Sequence, residues 1–123
     1  MTLRTLSLAL LLSAPLLPAC DSGEGDEGGE GPNIDCATVT PPKYSEMTAW
    51  SKCVTCHSST LTGPARANAP VGINYDTYDA AKANAAEAMS EVYEGAMPIA
   101  GSPQLSEAEK TQIYNWASCD TPN

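Results

Sequence analysis

From Cys36 onward the chain has no phenylalanine, and its helix-compatible stripes are thin and rich in alanine. About 88 residues with so few large apolar side chains make a poor core of their own, because a small domain buries a small share of its surface. An apolar component that the sequence does not encode is therefore expected to complete the interior.

The 123-residue length sets one small domain as the expectation. Residues 1–19 read as a secretory signal peptide and not as domain material. Arg4 is the only charge before Cys20, an apolar run follows from Leu6 to Leu12, and Pro15 and Pro18 break it. The run is too short to span a bilayer. Leu17-Pro18-Ala19-Cys20 resembles the lipobox of bacterial lipoproteins, in which the cysteine is lipidated and becomes the new N-terminus. Pro18 departs from the small or β-branched residue usual there. Ordinary cleavage nearby, leaving a free Cys20, is the alternative, and the lack of an A-x-A-like site speaks against it. Lipidation would anchor the protein stably, since two or more acyl chains suffice where one does not.

Residues 20–35 carry this reading further. "DSGEGDEGGEGPNID" is acidic, glycine-rich and nearly devoid of apolar residues, so it reads as a flexible tether. A chain of about 15 such residues has an r.m.s. span on the order of 20 Å. Six of the acids lie in it. The remainder, residues 36–123, sets nine acids against five bases, a formal charge of −4. Nucleic acid is not expected as a partner, because neutralising phosphates needs a basic patch.

Three helices are readable in residues 36–123, and no strand. The first starts near Tyr44 or Ser45 and runs into the cysteine motif, with Met47, Trp50 and Val54 on one stripe. A loop with Gly63, Pro64, Pro70 and Gly72 occupies Ser58 to Asp76; at this length it is either disordered or wrapped around something. The second helix takes Asp76 or Thr77 as N-cap, repeats Tyr78, Ala81, Ala85, Met89 and Val92, and stops at Gly95. The third opens on the capping box Ser106-Glu107-Ala108-Glu109, buries Ile113, Trp116 and Ala117, and ends near Cys119.

The first helix ends in Cys53-Val54-Thr55-Cys56-His57, which holds the chain's only histidine. Three chemistries use two cysteines at this spacing. A structural zinc site wants four Cys or His ligands in two close pairs, and only the distant Cys36 and Cys119 remain to supply them. A redox dithiol sits at a helix N-terminus after a strand, whereas this pair ends a helix. Covalent haem attachment accounts for the whole motif: two thiols on one face bond the two vinyl groups, and His57 follows as an iron ligand. It also agrees with export.

With His57 as one axial ligand, no second histidine exists for the other side. Met47 belongs to the helix of the motif itself. Met89 lies on an apolar stripe, where a core role suits it. Met97, in "GAMPIAG", lies in a loop stiffened by Pro98 and is the expected distal ligand. The alternative is an open iron, with Met97 an ordinary loop residue.

The region from Trp50 to Trp116 is similar to a small class I c-type cytochrome domain: "CVTCHSS", "TGP", an alanine-rich helix, "G-x-Met-Pro", then "LSEAEK" before a last helix with Trp116. The resemblance implies an all-α fold, a small cytochrome c-like bundle of about three helices wrapped around one covalent haem c, with first and last helices crossing. It implies a proline carbonyl, that of Pro64 or Pro70, accepting the His57 Nδ1 hydrogen bond. If the helices cross, Cys36 and Cys119 can meet, and an oxidising compartment would favour a disulfide. The functional expectation is an exported lipoprotein, anchored through Cys20 and facing the periplasm or cell exterior. It is expected to carry single electrons and to be no enzyme, since no nucleophile–base pair is present. Its partner would be a redox protein, for which a basic docking face is one option. A haem-based ligand-binding or sensor module, with an open or displaceable distal position, is the rival, and a structural lipoprotein whose haem only completes the fold is a third reading.

Overall fold

In the computed structural model the described residues are 31–123. The expected signal peptide, the lipidated Cys20 and most of the tether lie outside them. Within the described residues the fold is all-helical, with no strand. A 3₁₀ turn at Tyr44–Glu46 precedes α1 (Trp50–Cys53), and a second at Gly63–Arg66 precedes α2 (Tyr78–Ala83), α3 (Ala85–Tyr93) and α4 (Glu107–Ser118). No helix among the described residues is long and apolar enough to cross a membrane.

Helix α4 starts where its local chemistry requires. Ser106 Oγ accepts from the Glu109 amide at 3.3 Å, and the Glu109 carboxylate accepts from the Ser106 amide at 2.7 Å. Thr77, not Asp76, caps α2 by accepting from the Ala80 amide. Gly95 follows α3 with φ +77°, the left-handed conformation that a helix C′ position favours.

Two helices differ from expectation. The first shrinks to the single turn Trp50–Cys53, because Met47 is extended (ψ 111°) and ends the 3₁₀ turn before it. The second divides at Asn84 (φ −115°, ψ 20°). The Asn84 amide side chain donates to the Ala80 carbonyl at 2.8 Å, taking an acceptor that the backbone ladder would use. The main helix pairing is consequently α3 against α4, and not first helix against last. The one-turn α1 still touches α4 through side chains: Trp50 meets Trp116 edge-on at 5.3 Å, and Lys52 pairs with Glu109 at 2.6 Å.

The core is aromatic where an aliphatic one would be usual. Trp116 and Ile113 are fully buried. Trp50 stacks on Tyr75 with centroids 5.2 Å apart and planes 7° from parallel, and Tyr44 packs on both tryptophans. Such offset pairs add about 0.5–1.5 kcal/mol each to their area burial. The C-terminal tail locks this cluster. The Pro122 carbonyl accepts from Trp116 Nε1 and the Tyr44 amide, both at 2.9 Å, and the Thr121 carbonyl accepts from the Tyr78 hydroxyl at 3.0 Å.

Cys36 and Cys119 form a disulfide with Cα atoms 5.5 Å apart, across a sequence separation of 83. Closing so long a loop restricts the unfolded chain strongly. Replacing both cysteines by serine is expected to lower the unfolding free energy by about 4 kcal/mol, measured by urea denaturation of the two proteins side by side.

Candidate functional site

The motif leaves α1 as a tight turn. The Cys53 carbonyl accepts from the Cys56 amide at 3.2 Å and from the His57 amide at 2.9 Å. Continuing the helical path in this way brings Cys53, Cys56 and His57 onto the lining of one cavity of about 370 Å³, the size class of small-molecule and cofactor sites. Both thiols are partly buried and neither is in a disulfide. Ala88 and Val92 of α3, Ile113 of α4, Leu105 and Tyr75 give the cavity its apolar lining.

The three described methionines separate. Met47 is buried in the core. Met89 does not line the cavity; its Sδ accepts from Ser118 Oγ at 3.2 Å on another face of α3. Met97 does line it, carried by the loop after α3, where its amide donates to the Glu91 carbonyl at 2.9 Å.

His57 Nδ1 lies 3.0 Å from the carbonyl oxygen of Ile73. A carbonyl only accepts, so Nδ1 carries the hydrogen and Nε2 keeps the lone pair. This corrects the proline expectation. The Pro64 carbonyl accepts from the Ala67 amide, and that of Pro70 accepts from Arg66 and the Ile73 amide. Proline at either place bends the loop; the carbonyl that reaches the ring comes three residues after Pro70.

The loop from Ser58 to Asp76 is wrapped around its own arginine. Arg66 is 3 % exposed. Its Nε donates to the Ala69 carbonyl, Nη1 to the Ser58 carbonyl and to Asn74 Oδ1, and Nη2 to the carbonyls of Pro70 and Ile73, all at 2.5–3.1 Å. The loop's ends are clamped by the Tyr75 amide on the His57 carbonyl at 2.9 Å and by Asp76, whose carboxylate accepts from Ser59 Oγ at 2.6 Å. The Ser59 hydroxyl bond holds the Asp76 carboxyl below its ordinary range. The sequence reading passed over Arg66, Ile73 and Tyr75. A signal for the first exists: Arg66 is the only lysine or arginine between Lys52 and Lys82, in a loop with no acid before Asp76.

These surroundings weigh on the three chemistries of the motif. Burial, and then the Glu109 carboxylate, push the Cys53 thiol up to about 11. A redox dithiol needs the opposite shift. Among the described residues no group of three or more His, Cys, Asp and Glu side chains is disposed to hold a bare metal ion, which leaves zinc without a ligand set. What the cavity does offer is two thiols, an imidazole Nε2 lone pair and one thioether around an apolar space. That donor set fits a flat apolar group anchored by both thiols and ligated by nitrogen and sulfur.

No protein-family model matches the chain, and no curated protein and no solved structure is significantly similar to it.

Lys52 ties the cavity wall to α4. Its ammonium donates to the Glu109 carboxylate at 2.6 Å and to the Gln104 carbonyl at 2.8 Å. The Lys52 bond, with the Ser106 amide, lowers the Glu109 carboxyl from 4.5 to about 2. The unfolded chain then takes up this proton near pH 4.5 and the folded chain only near pH 2. The stabilisation is fully present above pH 4.5 and is lost as pH falls towards 2. Glu109→Gln should be less stable than the parent at pH 7, and the two thermal-unfolding curves should converge as the pH approaches 2.

Proposed function

We propose that this protein is an extracytoplasmic c-type cytochrome, a one-electron carrier with one haem c. Cys53 and Cys56 would hold the group through thioether bonds to its vinyl carbons. His57 Nε2 and Met97 Sδ would ligate its iron. One observation carries the reading: the attachment motif and Met97, from separate segments of the chain, line the same apolar cavity. When bound, such a group supplies a single one-electron couple.

The remaining roles belong to the chain. The Ile73 carbonyl fixes the His57 ring and its tautomer. Ala88, Val92 and Ile113 keep water away from the ring system. With His57 and Met97 both holding the iron, the group would exchange electrons and would bind no substrate, which suits a carrier. Export through residues 1–19, lipidation at Cys20 and a tether to residue 35 would hold the domain close to a membrane. Glu87 and Glu91 flank the cavity and suit a redox protein partner with a basic docking face.

Mass spectrometry of the exported protein should find one porphyrin on Cys53 and Cys56. A compact, unmodified and colourless protein sinks the proposal. Met97→Ala should lower the reduction potential by on the order of 100 mV, within the roughly 0.8 V that axial ligands span, and should open the ferrous form to carbon monoxide. Met89→Ala should leave spectrum and potential unchanged. A parent protein that itself binds carbon monoxide when ferrous would overturn the carrier in favour of a sensor module.

A further inference from the structure

We infer that Arg66 is a positioning residue for the His57 ring, and that its buried charge biases the bound iron towards the ferrous state. The inference rests on the haem reading above and deepens it.

A guanidinium has five N–H groups, and all five of Arg66 are used inside the protein. Four backbone carbonyls and the neutral Asn74 amide oxygen accept from them. No carboxylate is among these partners. The only acid on the loop, Asp76, is engaged by Ser58 and Ser59. The charge is therefore solvated by fixed dipoles, with no carboxylate in direct contact, at 3 % exposure, where little water screens it. Although Arg66 lines the cavity, it has no donor to spare for an anionic group there. It acts on a ligand of the cavity by its field and by one shared atom.

That atom is the Ile73 carbonyl oxygen, which accepts from Arg66 Nη2 at 3.1 Å and from His57 Nδ1 at 3.0 Å. Two consequences follow, with the same sign. The second donor draws on the carbonyl's electron density, so the bond to Nδ1–H weakens and the imidazole becomes a poorer electron donor at Nε2. The positive charge, two hydrogen bonds from the ring, also disfavours the more positive oxidation state. Both raise the reduction potential. The equilibrium concerned exchanges one electron with a mediator dye and no proton.

The test uses the full haem-loaded protein and three variants, with redox titration, NMR of the His57 Nδ1–H, and hydrogen exchange over residues 58–76. Arg66→Gln removes the charge and most of the fork. Its ferric/ferrous equilibrium should move at least tenfold towards ferric, about 59 mV for a one-electron couple, and the Tyr75 amide should exchange faster. Arg66→Lys keeps the charge with fewer donors, so the potential should be largely retained while the Nδ1–H resonance shifts. Asn74→Asp leaves the fork in place and sets a carboxylate against it; the potential should fall with exchange little changed. If Arg66→Gln does not fold, Asn74→Asp carries the electrostatic test alone. A haem-bearing parent whose potential is matched by Asn74→Asp and by any folded Arg66→Gln overturns this inference and leaves the haem reading intact. A parent that carries no haem removes both.

Discussion

The orientation of the His57 ring depends on a single backbone oxygen, that of Ile73, which also accepts from Arg66. That oxygen sits in a loop without regular structure apart from one 3₁₀ turn, so no helix or strand ladder fixes its direction. The loop instead closes around Arg66, whose planar fork reaches residues 58, 69, 70, 73 and 74 together. A lysine could not do this, since its ammonium is a point donor with three hydrogens. Burying a charge costs several kcal/mol unless its hydrogen bonds are remade; here every one is. The cation thus serves as an internal template, and the orientation of His57 follows from it through a shared acceptor.

The alanines of α3 have two consequences. The small buried side chains at Ala85 and Ala88 allow close helix approach to α4, where Ile113 and Trp116 are buried. Towards the motif, Ala88 withholds the volume that a leucine would supply, and the cavity occupies it. The aromatic cluster compensates on the far side, where Trp50, Trp116 and Tyr44 pack edge and face. Tyr75 is the seam between the two halves. It stacks on Trp50 and stands 5.4 Å from the His57 ring. The interior is densely packed around the aromatic rings and open where Cys53, Cys56 and His57 line the cavity.

What could be read from the sequence was local. The Ser106–Glu109 box and the Gly95 stop depend on three or four neighbouring residues and stand as read, and of the two caps open to α2, Asp76 and Thr77, it is Thr77. Cys53, Cys56, His57 and Met97 line one cavity. The break at Asn84 was missed because apolar periodicity continues across it; only the amide's competition for the Ala80 carbonyl divides the helix. The proline expectation failed for a related reason. Which of several loop carbonyls meets the ring depends on how the loop folds, and that is set by Arg66, whose role needs five distant acceptors to be visible. The Cys36–Cys119 pair was argued from crossing helices. It forms although α1 is a single turn, because the strand of chain before Tyr44 runs back to the tail after α4 and bonds to Pro122.

The first described residue, Gly31, also packs on the bundle. Gly31 lies against Met89 so closely that a Cβ there would stand 2.8 Å from its terminal methyl and 2.9 Å from its sulfur; any side chain would push Met89 aside. Met89 does not line the cavity, so Gly31 meets α3 at a residue outside the lining. The Ser118–Met89 contact and the disulfide lie at the same place, where the end of α4 meets Cys36. One side of the bundle is thus covalently closed and covered by the incoming chain. The cavity side is walled by the arginine-centred loop and the Met97 loop, which are held by hydrogen bonds and by the packing of Ile73 and Met97 on the core, with no covalent cross-link.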